Sequence, residues 1–303
     1  MKLSSRSVLL FSSLAALLGI AVWYFAYRKK PVAPIADYPR LSPGVVMRDV
    51  TFRSQALQRD MDYRVFMPGN TSQKKLAVIY LLHGGGGSFR DWSNYSNVAQ
   101  YAAQDFLLVM PQGDYSYYTN AALRPQDRYE DYIVHDLPAD VEARFPARAD
   151  REGRAIAGVS MGGFGAVKLA LDHPEMFAFA GALSPAIDVP RRAFSWKRLD
   201  QSRHFQELFG PDGSDSRRNS DPFVLVQRAD PARVGYFYVT CGHQESLFGP
   251  NRDFVALLKK YGIAHEFHVV PGGHDWNQWN ADLAGLFDAL SHHQGLEKAT
   301  SVH

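Results

Sequence analysis

Ser160 stands between glycines in Ala157-Gly158-Val159-Ser160-Met161-Gly162-Gly163, a spacing at which a serine hydroxyl can serve as the nucleophile of acyl transfer. That chemistry needs a sharp turn that lifts the hydroxyl clear of its neighbours. Such a turn strains the backbone and forces close approaches, and Gly158 and Gly162 supply flanks without side chains. In a chain with 24 glycines the pentapeptide alone is weak evidence. Its partners must carry the case. A histidine has to take the serine proton, and a carboxylate has to fix the imidazole tautomer and balance the imidazolium that forms. Downstream, Gly242-His243-Gln244-Glu245 and Pro271-Gly272-Gly273-His274-Asp275-Trp276 offer Glu245 as acid and His274 as base. Two other carboxylates compete with Glu245. Asp275 adjoins the histidine, and an immediate neighbour projects elsewhere on the backbone; Asp221, in Asn219-Ser220-Asp221-Pro222, reads as a loop or helix start.

Attack on an ester carbonyl creates an oxyanion, and losing one donor to it costs about 3 kcal/mol of barrier lowering. The run His83-Gly84-Gly85-Gly86-Gly87-Ser88 can point backbone N–H groups at a ligand without obstruction. The donors are assigned to Gly85, with Gly86 as the near alternative, and to Met161 just after the nucleophile.

The elements that must position these groups are written as apolar runs. Leu76 to Leu82 is a continuous apolar stretch of buried parallel-strand type and leads into the glycine run; Arg154 to Ala157 precedes the serine and a helical pattern, Ala166 to Leu171, follows it. Tyr236 to Cys241 precedes the acid, and His265 to Val270 precedes the histidine. Strands are expected near 47–54, 61–67, 76–83, 105–111, 154–159, 177–183, 235–241 and 265–270, alternating with helical patterns such as Tyr129 to Phe145 and Arg252 to Tyr261. This alternation predicts an α/β class with a mostly parallel central sheet, helices on both faces, and the reactive groups in loops at the C-terminal strand ends.

The segments around His83, Ser160 and His274 resemble the putative-esterase family of the α/β-hydrolases, which includes esterase D (S-formylglutathione hydrolase), tributyrin and feruloyl esterases and the antigen 85 mycolyltransferases. The resemblance spans about Val45 to Leu290 and takes in Val50 to Leu57 and Tyr63 to Pro68, which resemble the antiparallel strands that open the family's sheet, and Tyr129 to Val134, which resembles its helix before the nucleophile strand. It carries Ser160 over as nucleophile and His274 as base. Many relatives place Asp where this chain has Glu245, while some branches use Glu. In relatives the aromatic loop equivalent to Gln112 to Asn120 faces the active site, so Trp92, Tyr117, Tyr118, Trp276 and Trp279 become candidates to line a substrate pocket. The activity implied is a serine esterase acting on a small-molecule or lipid-like acyl ester. An acyltransferase using the same acyl-enzyme with an alcohol or sugar acceptor is the alternative, and a catalytically inactive binding module is the reading from another class.

Other titratable residues read as structural. His83 is expected to hold the glycine loop through a backbone hydrogen bond, and His135-Asp136 to be a surface pair. His243, His265 and His268 lack an H-E-x-x-H spacing and a cysteine cluster, so no metal is expected, and the glycine run lacks the Lys-Ser/Thr of a phosphate loop. No cofactor is implied. A net charge of +2 gives no reason to expect nucleic acid. Basic pairs do bunch at Arg191-Arg192, Lys197-Arg198 and Arg217-Arg218, between the nucleophile helix and the acid strand, an interval where a cap is expected. The lone Cys241, ending an apolar strand, reads as a buried thiol.

Twenty uncharged residues, Val8 to Tyr27, lie between Lys2 and Arg6 on one side and Arg28-Lys29-Lys30 on the other, long enough as a helix to span a hydrocarbon core. Trp23, Tyr24, Phe25 and Tyr27 gather where an interfacial belt would lie. The organisation expected is a membrane anchor over 1–30, with a cleaved signal sequence as its rival, a Pro-rich linker over 31–44, a catalytic domain over 45–290 and a loose tail over 291–303.

Overall fold

The computed structural model describes residues 36–70 and 74–293. The expected N-terminal membrane helix, the first part of the linker and most of the tail lie outside the described residues. Among those described, no helix is long and apolar enough to cross a membrane.

Eight strands form one sheet in the order β1-β2-β4-β3-β5-β6-β7-β8. They are β1 Val45–Ser54, β2 Arg59–Pro68, β3 Ala77–Leu82, β4 Phe106–Pro111, β5 Arg154–Val159, β6 Phe179–Leu183, β7 Tyr236–Gly242 and β8 His265–Val270. The hairpin β1–β2 is antiparallel to itself and to β4, and every later pairing is parallel. The main helices are α1 Asp91–Tyr95, α2 Leu137–Arg144, α3 Met161–Asp172, α4 Leu199–Phe209, α5 Asp215–Asn219, α6 Pro222–Arg228, α7 Phe248–Lys260 and α8 Trp276–His293. This is an α/β-hydrolase-like architecture with helices on both faces.

The central strands are buried apart from Arg154 at the start of β5, so both of their faces must be apolar. In β3, Val78, Tyr80 and Leu82 enter one core with Phe164 and Val167 of α3, while Ile79 and Leu81 enter the other with Leu283 and Leu286 of α8. Alternation of side chains along the strand divides them this way. The edge strand β8 keeps a partly exposed face. Residues 184–235, between β6 and β7, carry α4, α5 and α6 and form the cap.

The helical stretch before β5 departs from the expected regular helix. It begins at Tyr129, widens into a π-turn over Tyr132–Asp136, then continues as α2. Pro138 has no N–H to give to the carbonyl one α-turn back, which favours the local widening. Asp136 is not a surface partner of His135. It accepts hydrogen bonds from Ser54 Oγ at 2.6 Å and from the Ala56 N–H at 2.8 Å, tying the end of β1 to this turn.

Candidate active site

Ser160 occupies the turn between β5 and α3 with φ 55° and ψ −111°, a left-handed conformation that a non-glycine residue adopts only when its surroundings impose it. The surroundings here are backbone contacts. The Ser160 N–H donates to the Leu183 carbonyl at 2.9 Å, and its own carbonyl accepts from Ala186 and Phe164 at 3.0 Å each. A Cβ on Gly158 would lie 2.3 Å from the carbonyl carbon of Gly162, and one on Gly162 would lie 2.3 Å from the Leu82 oxygen. The first turn of α3 therefore packs directly on the ends of β5 and β3, and both positions must lack a side chain.

His274, in the loop between β8 and α8, reaches Ser160 Oγ with Nε2 at 2.8 Å and Glu245 Oε2 with Nδ1 at 2.7 Å. Glu245 follows β7, and its side chain is only 2% exposed. Its other oxygen accepts from Ser184 Oγ at 2.6 Å and from the Gly242 N–H at 2.9 Å. Burial alone would raise the carboxyl's pKa; the hydrogen bonds from His274, Ser184 and Gly242 outweigh it and hold the group below its ordinary value. A carboxylate kept ionised at Oε2 requires the proton on His274 Nδ1, leaving Nε2 free to accept from the serine hydroxyl. The edge of His274 meets the Trp279 ring, with centroids 5.0 Å apart.

Ser184 was not singled out by sequence reasoning. It directly follows β6, is fully buried, and has φ 47°. Its backbone N–H donates to Thr240 at 2.8 Å. Its signal is only a serine at a strand end before Pro185, which is too common to point to a role.

The glycine loop follows β3 and faces the elbow. The Gly87 N–H donates to the Gly84 carbonyl at 3.1 Å, and Gly86 carries φ 76°, as the third position of a type II turn requires. A Cβ on Gly84 would lie 3.7 Å from Ser160 Cβ, and one on Gly85 would lie 3.9 Å from Met161 Cβ, so the loop and the start of α3 flank the same space. Met161 opens α3, where helix geometry leaves N–H groups without intrahelical acceptors. His83 locks the loop from beneath. It is fully buried, its Nε2 accepts from the Gly113 N–H at 2.9 Å, and its Nδ1 donates to the Gly84 carbonyl at 2.8 Å. Burial pushes its pKa down, so the ring stays neutral in this two-sided bond.

The aromatic candidates are placed differently from expectation. Trp92 and Tyr118 are fully buried and Tyr117 nearly so, which removes them from contact with a substrate. Trp92 donates its indole N–H to the Leu82 carbonyl at 3.1 Å; Tyr118 donates to the His83 carbonyl at 3.0 Å and fills space beside Gly113 and Gly165. Tyr117 packs its ring edges among Phe164, Phe205 and Phe209. Trp279 is also buried, while Trp276 is half-buried, edge-on to Trp92 at 5.2 Å. The residue of this loop that borders the site is Tyr115. It is 39% exposed, and a Cβ on Gly85 would lie 2.7 Å from its ring. The competing carboxylates serve helix starts: Asp221 accepts from the Phe223 N–H at 3.0 Å and Asp275 from the Asn277 N–H at 2.9 Å.

Comparison with known proteins identifies the family. The profile of the esterase family, described as "Putative esterase", matches residues 54–290. The chain belongs to this esterase family. It is a carboxylic ester hydrolase, and its relatives are enzymes of that class. It is 25% identical to an acetyl esterase of Caldicellulosiruptor saccharolyticus, over 82% of this chain and 98% of the relative. It is 30% identical to an esterase of Mycobacterium tuberculosis, over 79% of this chain and 58% of that longer protein. Among solved structures, a fluorophosphonate-binding serine hydrolase of Staphylococcus aureus aligns with a TM-score of 0.71 at 25% identity, covering 82% of this chain and 98% of its own.

Proposed function

We propose that this esterase cleaves carboxylic or thioesters through an acyl-enzyme on Ser160. As Oγ attacks the carbonyl carbon, its proton passes to His274 Nε2 and the carbonyl oxygen becomes an oxyanion facing the N–H groups of Gly85 and Met161. Collapse of the tetrahedral intermediate expels the alcohol or thiol, which takes the proton back from His274. Water then repeats the sequence, giving its proton to His274 and attacking the acyl carbonyl, so that the acid leaves and Ser160 Oγ is reprotonated. Glu245 stays ionised throughout and balances the imidazolium.

The continuous chain of hydrogen bonds from Ser160 through His274 to Glu245 carries this reading. Turnover of a short acyl ester by Ser160→Ala and by His274→Gln is expected to fall by at least about three orders of magnitude. Activity within tenfold of wild type in Ser160→Ala would remove the serine from the reaction. Running the same assay with an added alcohol separates hydrolysis, which yields the free acid, from transfer, which yields a new ester.

The uncharged run Val8 to Tyr27 and its flanking cations support a membrane tether for the catalytic domain, with a lipid-like ester among the substrates it would meet. Deleting residues 1–30 is expected to release active enzyme into the supernatant; a deletion protein that still sediments with membranes would place the attachment elsewhere.

A further inference from the structure

The cap carries a second feature that the hydrolytic reading does not use. Trp196 lies in the tight turn just before α4 and is 80% exposed, with the Phe194 ring edge-on at 5.1 Å. Lys197 and Arg198 follow it, and Arg203 lies at the start of the second turn of α4; all three are exposed and none enters a salt bridge among the described residues. The acids of the surrounding elements are largely engaged elsewhere. Glu207 and Asp127 share Arg124, while Asp212 pairs with Arg217, Asp188 with Arg192 and Asp221 with Arg191. Exposed Asp200 and the extra acid at Arg124 offset two of the three free cations, which leaves the strip net positive.

The apolar exposure continues along the same helix toward the nucleophile. Seven large hydrophobic side chains are exposed among the described residues, and three of them border α4. Besides Trp196 these are Leu123, whose N–H donates to the Glu207 carbonyl at 3.0 Å, and Tyr115, whose ring stacks on His204 with centroids 4.7 Å apart. His204 is five residues into α4, roughly 7.5 Å along the axis from its start. Tyr115 in turn rests on Gly85 beside Ser160. The strip therefore runs from the cap turn to the lip of the catalytic cleft.

We propose that this strip docks on an anionic lipid surface, with the Trp196 indole in the interfacial layer and Lys197, Arg198 and Arg203 on the headgroup phosphates. An exposed indole beside unpaired cations is the composition that interfaces between membrane and water select. A soluble polyanion would need the cations but not the indole. Docking turns the lip formed by Tyr115 and Gly85 toward the bilayer, where an acyl ester held in the membrane reaches Ser160 without first dissolving in water. The inference goes beyond the esterase assignment and does not use the N-terminal segment.

The test adds phosphatidylcholine vesicles, with or without phosphatidylglycerol and carrying brominated acyl chains, to the full chain, and compares tryptophan quenching in wild type and Trp196→Phe. The difference between the two isolates Trp196 from the other four indoles. Expected is a quenched Trp196 component with phosphatidylglycerol present that is small without it, and a ratio of docked to undocked enzyme about thirtyfold lower in Lys197→Gln/Arg198→Gln. Hydrolysis of a water-soluble short ester is expected to be unchanged in all these variants, which separates the outcome from any failure of the hydrolytic reading. Equal quenching in wild type and Trp196→Phe would overturn the proposal. So would a Trp196 protected only by self-association of the chain, seen as a concentration dependence without vesicles.

Discussion

Ser184→Ala removes one donor from Glu245 and leaves the rest of the chain of hydrogen bonds in place. In the wild type, Oε1 accepts from Ser184 Oγ at 2.6 Å and from Gly242 N–H at 2.9 Å, while Oε2 is engaged by His274. A hydrogen bond to a charged group contributes about 1.5–3 kcal/mol, so the carboxylate should be destabilised by that amount and its pKa should rise back toward the ordinary value. Ser184 touches Glu245 rather than substrate, making it a positioning residue. Its loss should appear in kcat, by about tenfold or somewhat more, with KM unchanged. Stability gives a second reading with a definite sign. Glu245 is held below its ordinary value of 4.5, so its contribution is present above that pH and is lost as pH falls through the folded-state value. The gap in unfolding free energy between wild type and variant should be widest near neutral pH and shrink below about 4.5. Steady-state kinetics on a chromogenic acetate and denaturant melts at neutral and acid pH measure both effects. A variant with wild-type kcat and a stability gap that does not change with pH would refute the reasoning.

Gly158→Ala puts a methyl 2.3 Å from backbone of the first turn of α3, where no flexible side chain can yield. A loss of at least about 3 kcal/mol is expected together with loss of activity, and an unchanged melting temperature would show that the elbow can open. A second test lies on α3, where Lys168 is buried between Glu130 at 2.6 Å and Asp172 at 2.8 Å and His173 meets Glu130 at 2.9 Å. Burial works against ionisation of Glu130, yet the His173 hydrogen bond and the Lys168 charge bring its pKa down to about 2. Its contribution of about 3 kcal/mol is therefore full above the ordinary value and lost as pH falls toward 2. Glu130→Gln should lose that amount at neutral pH and lack the acid-side decline, and melts across the acid range would expose a variant that matches wild type at neutral pH.

The central parallel strands were legible because burial on both faces writes a continuous apolar run, and β4 and β5 begin and end within a residue of expectation; the partly exposed edge strand β8 keeps its expected bounds as well. The three residues of the hydrogen-bonded chain were legible for a related reason, since each follows a strand in a glycine-marked loop. Two kinds of feature were not. Tyr115, Tyr117 and Tyr118 are chemically alike in one loop, and only the positive φ at Tyr117 and Tyr118 and their packing on Phe164 and Gly165 decide that those two point inward. Ser184 looks like any serine at a strand end until Glu245 is brought beside it by the pairing of β6 with β7. Direction of a side chain within a loop, and contacts across the sheet, are set by tertiary structure and leave little trace in local periodicity.

Reaction of the wild-type chain with a fluorophosphonate, followed by mass analysis of its peptides, tests the central claim most directly. The account predicts one adduct per chain, on the peptide containing Ser160, and none on Ser160→Ala. An active wild-type enzyme that takes no label, or takes it on another residue, would contradict it.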